Sequence, residues 1–442
     1  MKNFPSVLIF GQPFNRKYGG GITLSNLYMN WDKDKLAVIA TGHVMNGITN
    51  DICDTYYQLG SEEYRWKFPF SLVQRKFSSG LVAFDQSPII SGGRKGSDLR
   101  SFLVDKIFYP TLEWLGCYHS AVRIEFSDKL KDWLFEYKPE VLYIQASTLD
   151  TLLFAIELKK FLEIPSVFHM MDDWPSTISK RGPFRKYWQK RIENVLKHLL
   201  DMTDLYLSIS EAMSEEYKIR YGKTFRPFHN PIDLDRFSSK DKPITSHGKR
   251  FRILYLGRVG TANRQSLLRF ASFISQYSHS DKSVEFDIYT NDNKELGVGK
   301  MMRYKGVNVF SAVSYDQVPN LMNSYDLLIL PLDFTKSGLK FSRYSMPTKA
   351  SEYMASGIPI LIFAPYETAI SRFFLKYQCG YCVNSPEKDS LEKAMNMLIS
   401  DNDYRSLIVE RAKKLAFQLF DGDRVRSDFQ SLISQLAVSR WD

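Results

Sequence analysis

Lys349 and Glu352 stand three residues apart in the stretch 345–363, SMPTKASEYMASGIPILIF, and that spacing places an ammonium and a carboxylate on one face of a helix. The two groups have complementary uses. A lysine ammonium is a compact cation suited to phosphate oxygens, whereas an ionised glutamate offers only acceptors and takes hydrogen bonds from hydroxyls such as those of a sugar. Pro347 is pre-set for a helix start, and Gly357 with Pro359 ends the helix, which leaves free N–H groups and the positive end of the dipole beside Lys349. An ordinary ion pair on a solvated helix accounts for the same two residues, so their meaning depends on the other polar groups of the chain.

Three further clusters bear on it. Tyr255-Leu-Gly257-Arg258 closes an apolar run with a guanidinium, a cation that never deprotonates and binds phosphate bidentately; Arg264 follows six residues later. His169-Met-Met-Asp172-Asp173 closes another apolar run, at the end of a strand where open parallel sheets hold their ligands. A histidine in an apolar strand is also a common core residue, and two adjacent carboxylates also suit a metal. Gly19-Gly20-Gly21 follows the apolar run 6–10 and precedes a helical pattern over 22–30, an arrangement that lets backbone N–H groups approach a ligand. Its spacing is not that of the dinucleotide fingerprint.

The elements that must position these groups alternate between strand and helix. Apolar runs at 6–10, 36–40, 141–145, 166–170 and 205–209 predict the strands of one parallel sheet, and runs at 252–256, 284–290, 307–312, 327–330 and 359–363 those of a second. Helical patterns fall at 263–277, 316–324, 347–356, 390–399 and 421–436. The fold class is therefore α/β with two doubly wound, Rossmann-like domains, over 1–237 and 251–420, joined by a polar linker at 238–250 and followed by a terminal helix within 421–442. Residues 55–122, rich in aromatics and bases, read as an irregular insertion of unassigned purpose.

The motifs resemble those of retaining glycosyltransferases of family 4, which have the GT-B architecture and a donor-binding helix of the form S-x-P-x-K-x-x-E-Y-x-x-x-G-x-P. Ser345, Pro347, Lys349, Glu352, Tyr353, Gly357 and Pro359 all match. Many members carry another glutamate eight positions before the one matched by Glu352, and this chain has Tyr344 there. Ser210-Glu211 and Asn230-Pro231-Ile232-Asp233 fit the family's S-x-S-E and N-P-x-D segments, with Ser210 placed to cap a helix.

The resemblance implies two domains facing across a cleft, with the terminal helix packing back on the first. It implies that Gly19–Gly21, Gly257, Arg258, Arg264, Tyr344, Ser345, Pro347, Lys349 and Glu352 bind a nucleotide-sugar donor. Arg258 and Lys349 would stabilise the diphosphate, Glu352 the ribose, and His169 with Asp172 or Asp173 the sugar or acceptor side. The implied reaction moves a sugar onto a saccharide or lipid-linked saccharide, with retention and without a metal, in cell-surface polysaccharide or glycoconjugate synthesis. No cofactor is expected, since the nucleotide-sugar is a substrate. A GT-B epimerase or phosphorylase and a non-catalytic binding protein are the alternatives.

Composition sets the remaining bounds. The 442 residues carry a net charge of +10, and 44% are hydrophobic, enough for two cores. No uncharged apolar run reaches the ~18 residues of a membrane span, and no secretory leader is recognisable, so a cytoplasmic protein is expected. Residues 180–200 set seven basic residues against Glu193 opposite an apolar stripe. That pattern predicts either a helix docked on its own core or one peripheral on the inner face of the membrane, with Arg185, Lys186, Trp188, Lys190 and Arg191 facing anionic lipid. Nucleic-acid binding is not expected, because the basic face lacks a reading motif. Cys379-Gly-Tyr-Cys382 reads as a turn entering a late strand rather than a redox pair.

Overall fold

Strands covered on both faces need apolar residues at every position, and Val7–Phe10 and Val141–Ile144 are accordingly buried throughout. The computed structural model describes residues 4–16, 19–68, 71, 77–83, 104–116, 118–178, 182–237, 248–291 and 297–438. The chain divides into two compact units, one formed by Met1–Phe228 with Arg426–Asp442 and the other by His229–Val425. The expected linker core at 238–247 and the Ser91–Gly96 loop, with Lys180 and Arg181, lie outside the described residues.

The first unit holds a sheet in the spatial order Arg226–Pro227, Leu205–Ser208, Ser166–Met170, Val141–Ile144, Val7–Phe10, Leu36–Thr41, Thr55–Leu59 and Gly80–Leu81. Every pairing is parallel except the last. Strand order reverses between Val7–Phe10 and Val141–Ile144, which makes their carboxyl ends, at Gly11 and Gln145, the first switch point, where open parallel sheets hold ligands. Thr55–Leu59 corrects the reading of 55–122 as irregular from its start. It pairs with Leu36–Thr41, and its tyrosines are buried, which hid a regular strand inside an aromatic-rich composition. Tyr64–Trp66 and Val122–Ile124 then pair antiparallel and close the base of the insertion.

Gly19–Gly21 do not form a loop ahead of the helix; they are its first three residues, Gly19–Leu27. The reason is a close approach, because a Cβ on Gly21 would lie 1.9 Å from the Asn15 amide nitrogen. The helix Gly422–Val438 starts in the second unit and continues into the first, where Gln430 Nε2 donates to the Met29 carbonyl at 2.9 Å and the Phe429 ring meets Tyr28 at 5.0 Å.

The second unit holds a wholly parallel sheet in the order Val307–Phe310, Ser283–Tyr289, Arg250–Leu256, Leu327–Pro331, Ile360–Phe363 and Tyr381–Val383. Alternate residues feed two cores. Leu254, Leu256, Leu328 and Ile360 face the helix Lys349–Ala355, and Phe251, Ile253 and Ile288 face the helix Arg264–Gln276. Each fully buried Leu, Ile or Phe side chain contributes about 1.5–3 kcal/mol. The order reverses between Arg250–Leu256 and Leu327–Pro331, so the loops after Leu256 and Pro331 flank the second switch point. Cys382 pairs with Ile362 in the last strand, and burial pushes the thiols of Cys379 and Cys382 up to about 12, which makes both poor nucleophiles.

Candidate active site

In the second unit the site grows from the end of one strand. Gly257 sits at φ +148°, beyond the reach of ordinary side-chain-bearing residues, and turns the chain so that Arg258 is exposed. The loop behind Arg258 is braced from inside. Tyr255 Oη donates to the Arg258 carbonyl at 2.6 Å, and Asn263 Nδ2 reaches the same carbonyl at 2.9 Å. Asn263 Oδ1 in turn accepts from Gly260 N at 3.0 Å.

Asp333, in the loop across the switch point, holds the next helix. Its backbone N–H donates to Ala262 at 2.7 Å, while Oδ1 accepts from Ser266 N, at 2.8 Å, in the first turn of Arg264–Gln276. Burial raises the Asp333 carboxyl, and hydrogen bonds from Ser266 and Gln265 oppose that rise. Arg264, at the first helical position, is half-buried on the same element.

The helix Lys349–Ala355 follows a turn in which Tyr344, Ser345 and Pro347 are each half-buried. Ser345 N donates to Ser342 O at 3.1 Å and Ala350 N to Pro347 O at 2.9 Å, so the turn is tied at both ends. Lys349 Nζ lies 2.8 Å from Glu352 Oε2; the carboxylate side chain is 5% exposed and the lysine 29%. The i, i+3 geometry expected from the sequence is therefore made, as a mutual ion pair with a partly open ammonium. Tyr353 Oη, deep in the core, accepts from Leu256 N at 2.9 Å and so ties this helix to the strand that presents Arg258.

In the first unit His169, the penultimate residue of its strand, is fully buried, with Nδ1 hydrogen-bonded to Tyr143 Oη and no protein partner at Nε2. Burial lowers its pKa to about 3, so the imidazole is neutral at working pH. The two aspartates part company. Asp173 is buried and engaged by Arg220 Nη1 at 2.8 Å and Tyr217 Oη at 2.9 Å, which makes it the anchor of the loop. Asp172 is exposed, yet desolvation by the surrounding loop and the neighbouring Asp173 charge raise its carboxyl. Ser210 caps its helix as expected, accepting from Met213 N at 3.1 Å. Among the described residues no group of three or more His, Cys, Asp or Glu side chains is placed to hold a metal ion.

Trp188, expected to face lipid, is buried; its ring meets His119 at 5.3 Å. It belongs with Ile192, Leu196, Leu199 and Leu200 to the stripe that docks the helix Arg185–Met202, while Arg185, Lys186, Lys190 and Arg191 are exposed. Sequence reasoning named Tyr255 in its motif without giving it a role, and missed Asn263 and Asp333. The Gly257-Arg258 motif was the signal that something must hold the loop.

Residues 239–415 match the sequence model of the family Glycosyl transferases group 1. Over these residues, most of the second unit, the chain is similar to that family. Its fold is that of GT-B enzymes, shared with distant solved structures. Anabaena HepE in complex with UDP and glucose aligns over 97% of this chain and 99% of its own, with a TM-score of 0.61 and 14% identity. Sucrose-phosphate synthase from Thermosynechococcus elongatus aligns over 98% and 99%, with a TM-score of 0.62 and 12% identity. WaaG, a glycosyltransferase involved in lipopolysaccharide biosynthesis, aligns over 97% and 99%, with a TM-score of 0.56 and 12% identity. No curated protein sequence matches this chain significantly. Among its described residues no helix is long and apolar enough to cross a membrane.

Proposed function

We propose that this protein is a group 1 glycosyl transferase, a cytoplasmic, retaining, metal-independent enzyme that moves a sugar from a nucleoside diphosphate to a saccharide or lipid-linked saccharide in cell-surface polysaccharide or glycoconjugate synthesis. The observation that carries the reading is the pairing of Lys349 with the buried Glu352 on a helix tied through Tyr353 to the strand of Arg258. That pairing supports a site in which Arg258 and Lys349 meet the phosphates and Glu352 meets the ribose, all within the second unit. The solved UDP and UDP-glucose complexes of Anabaena HepE make uridine diphosphate sugars the first donors to try.

In the reaction the anomeric carbon–oxygen bond to the diphosphate breaks while the acceptor oxygen bonds the same carbon on the same face. The acceptor's proton passes to the departing phosphate oxygen. Arg258 and Lys349 offset the charge that develops on that group, with Arg264 beside them; Gly257 opens the loop for its approach, and Tyr344, Ser345 and Pro347 shape the turn next to Lys349. Glu352 accepts from the ribose hydroxyls. In the first unit Gly19–Gly21 offer the backbone N–H groups of a helix start, and Asp172, with its raised carboxyl, is the acidic group left to meet the acceptor once Asp173 is engaged by Arg220. His169 acts from its buried position, through Tyr143 and a neutral Nε2.

The test is release of nucleoside diphosphate from a panel of sugar nucleotides, with and without acceptor extracts, in the presence of a chelator. Release that requires both a single donor and an acceptor supports the reading. Tight donor binding with no turnover under any condition favours a non-catalytic binding protein, the reading that Tyr344 in place of a glutamate keeps open.

A further inference from the structure

The segment 104–116 of the insertion and the start of the basic helix make one surface. Gly182, at φ +99°, lies so close to the insertion that a Cβ there would meet the Trp114 carbonyl oxygen at 1.6 Å. Across this seam Ile107, Trp114, Phe184 and Tyr187 are each more than half exposed. They are interleaved with exposed Lys106, Arg185, Lys186, Lys190 and Arg191. Arg191 Nη1 donates to Tyr187 Oη at 2.9 Å, which holds a cation beside a ring. Both acids of the helix are occupied, Glu193 by Lys197 at 3.1 Å and Asp201 by Lys223 at 2.8 Å. Exposed rings without charge would mark a protein partner, and exposed charge without rings a soluble polyanion. Interleaved rings and cations fit the headgroup layer, where amphipathic rings settle and cations meet anionic lipid.

We infer that this face docks on an anionic lipid bilayer, and that the insertion supplies half of it. The buried Trp188 is the hinge-pin that fixes the helix to its core; Trp114, Ile107, Phe184 and Tyr187 are the inserting groups. The inference stands apart from the sugar-transfer reading, because the binding it describes needs no donor.

The experiment is sedimentation of the full chain with phosphatidylcholine vesicles made with or without phosphatidylglycerol, at low and high salt. The parent should bind the anionic vesicles at low salt and leave the neutral ones in place. Replacing Lys186 and Lys190 by serine should cost about fivefold per charge, roughly 25-fold together. Replacing Trp114 and Phe184 by serine should cost at least roughly tenfold without altering charge. Both pairs are exposed, so unchanged nucleotide binding certifies the fold. Absence of binding at low salt, or equal binding to neutral vesicles, overturns the inference. So does an aromatic variant that binds like the parent while soluble polyphosphate competes for the face, since that outcome marks a general polyanion site.

Discussion

The hydroxyl of Tyr353 accepts a hydrogen bond from the backbone N–H of Leu256 at 2.9 Å, joining residues 97 positions apart. The donor is available for a reason. Arg250–Leu256 pairs with Leu327–Pro331 only at Ile253 and Leu254, so that ladder stops short of Leu256 and its N–H is taken up by the helix instead. Tyr353→Phe leaves that buried N–H without a partner, at a cost of about 1–3 kcal/mol. The expected result is a lower unfolding midpoint together with weaker nucleoside diphosphate binding, since the same bond registers Lys349 against Arg258. A variant that loses stability but binds nucleotide like the parent would show the bond to be structural only.

Glu352 and Lys349 separate by ligand. Glu352→Gln keeps shape and one acceptor but removes charge, so it should weaken nucleoside and nucleoside diphosphate alike, by about 1.5–3 kcal/mol. Lys349→Ala should weaken the diphosphate more than the nucleoside. It also strips the 2.8 Å partner from a carboxylate that is 5% exposed, so some loss of stability accompanies it. Calorimetric titration of both variants with both ligands decides the matter, and unchanged affinities in folded protein would remove the donor site from this helix.

What the sequence made legible was what local spacing encodes. Lys349 and Glu352 share a helical turn, and the apolar runs of Arg250–Leu256 or Ser166–Met170 need no distant partner to be read as strands. Depth was not legible. Period alone puts Trp188 on an apolar stripe with Phe184, yet one is buried and the other exposed, because packing of His119 covers only Trp188. Tertiary capping was not legible either. Asp333 closes a helix start 67 residues earlier, and nothing near it in sequence announces that role.

Asn263 is a positioning residue for Arg258. Its side chain spans Gly260 N and the Arg258 carbonyl, at 3.0 and 2.9 Å, so the loop is held before any ligand arrives. Asn263→Ala should reduce nucleoside diphosphate affinity by about tenfold, the effect of losing one or two hydrogen bonds at about 1 kcal/mol each. Nucleoside affinity should stay as it was. Equal losses for both ligands would mean that the loop acts on the ribose side or has collapsed.

His169 carries a pH signature. Burial pushes its imidazole down from 6.5 to about 3, so the folded chain refuses a proton that the unfolded chain accepts. Stability owed to the neutral form is whole above about pH 6.5 and declines as pH falls toward 3, with a slope approaching 1.4 kcal/mol per pH unit, to order of magnitude. Asp172, raised by desolvation, works in the opposite sense, since its protonation at low pH relieves a cost of the folded state. The informative quantity is therefore the difference between parent and His169→Gln in denaturant unfolding at matched pH. That difference should shift in favour of the variant as pH drops from 6.5 to 4, and parallel curves would contradict the burial account. Turnover provides the second reading. If His169 supports the sugar side, His169→Gln should lower kcat far more than nucleoside diphosphate affinity, whereas an unchanged kcat alongside the altered pH dependence would leave it a core residue that only braces Tyr143.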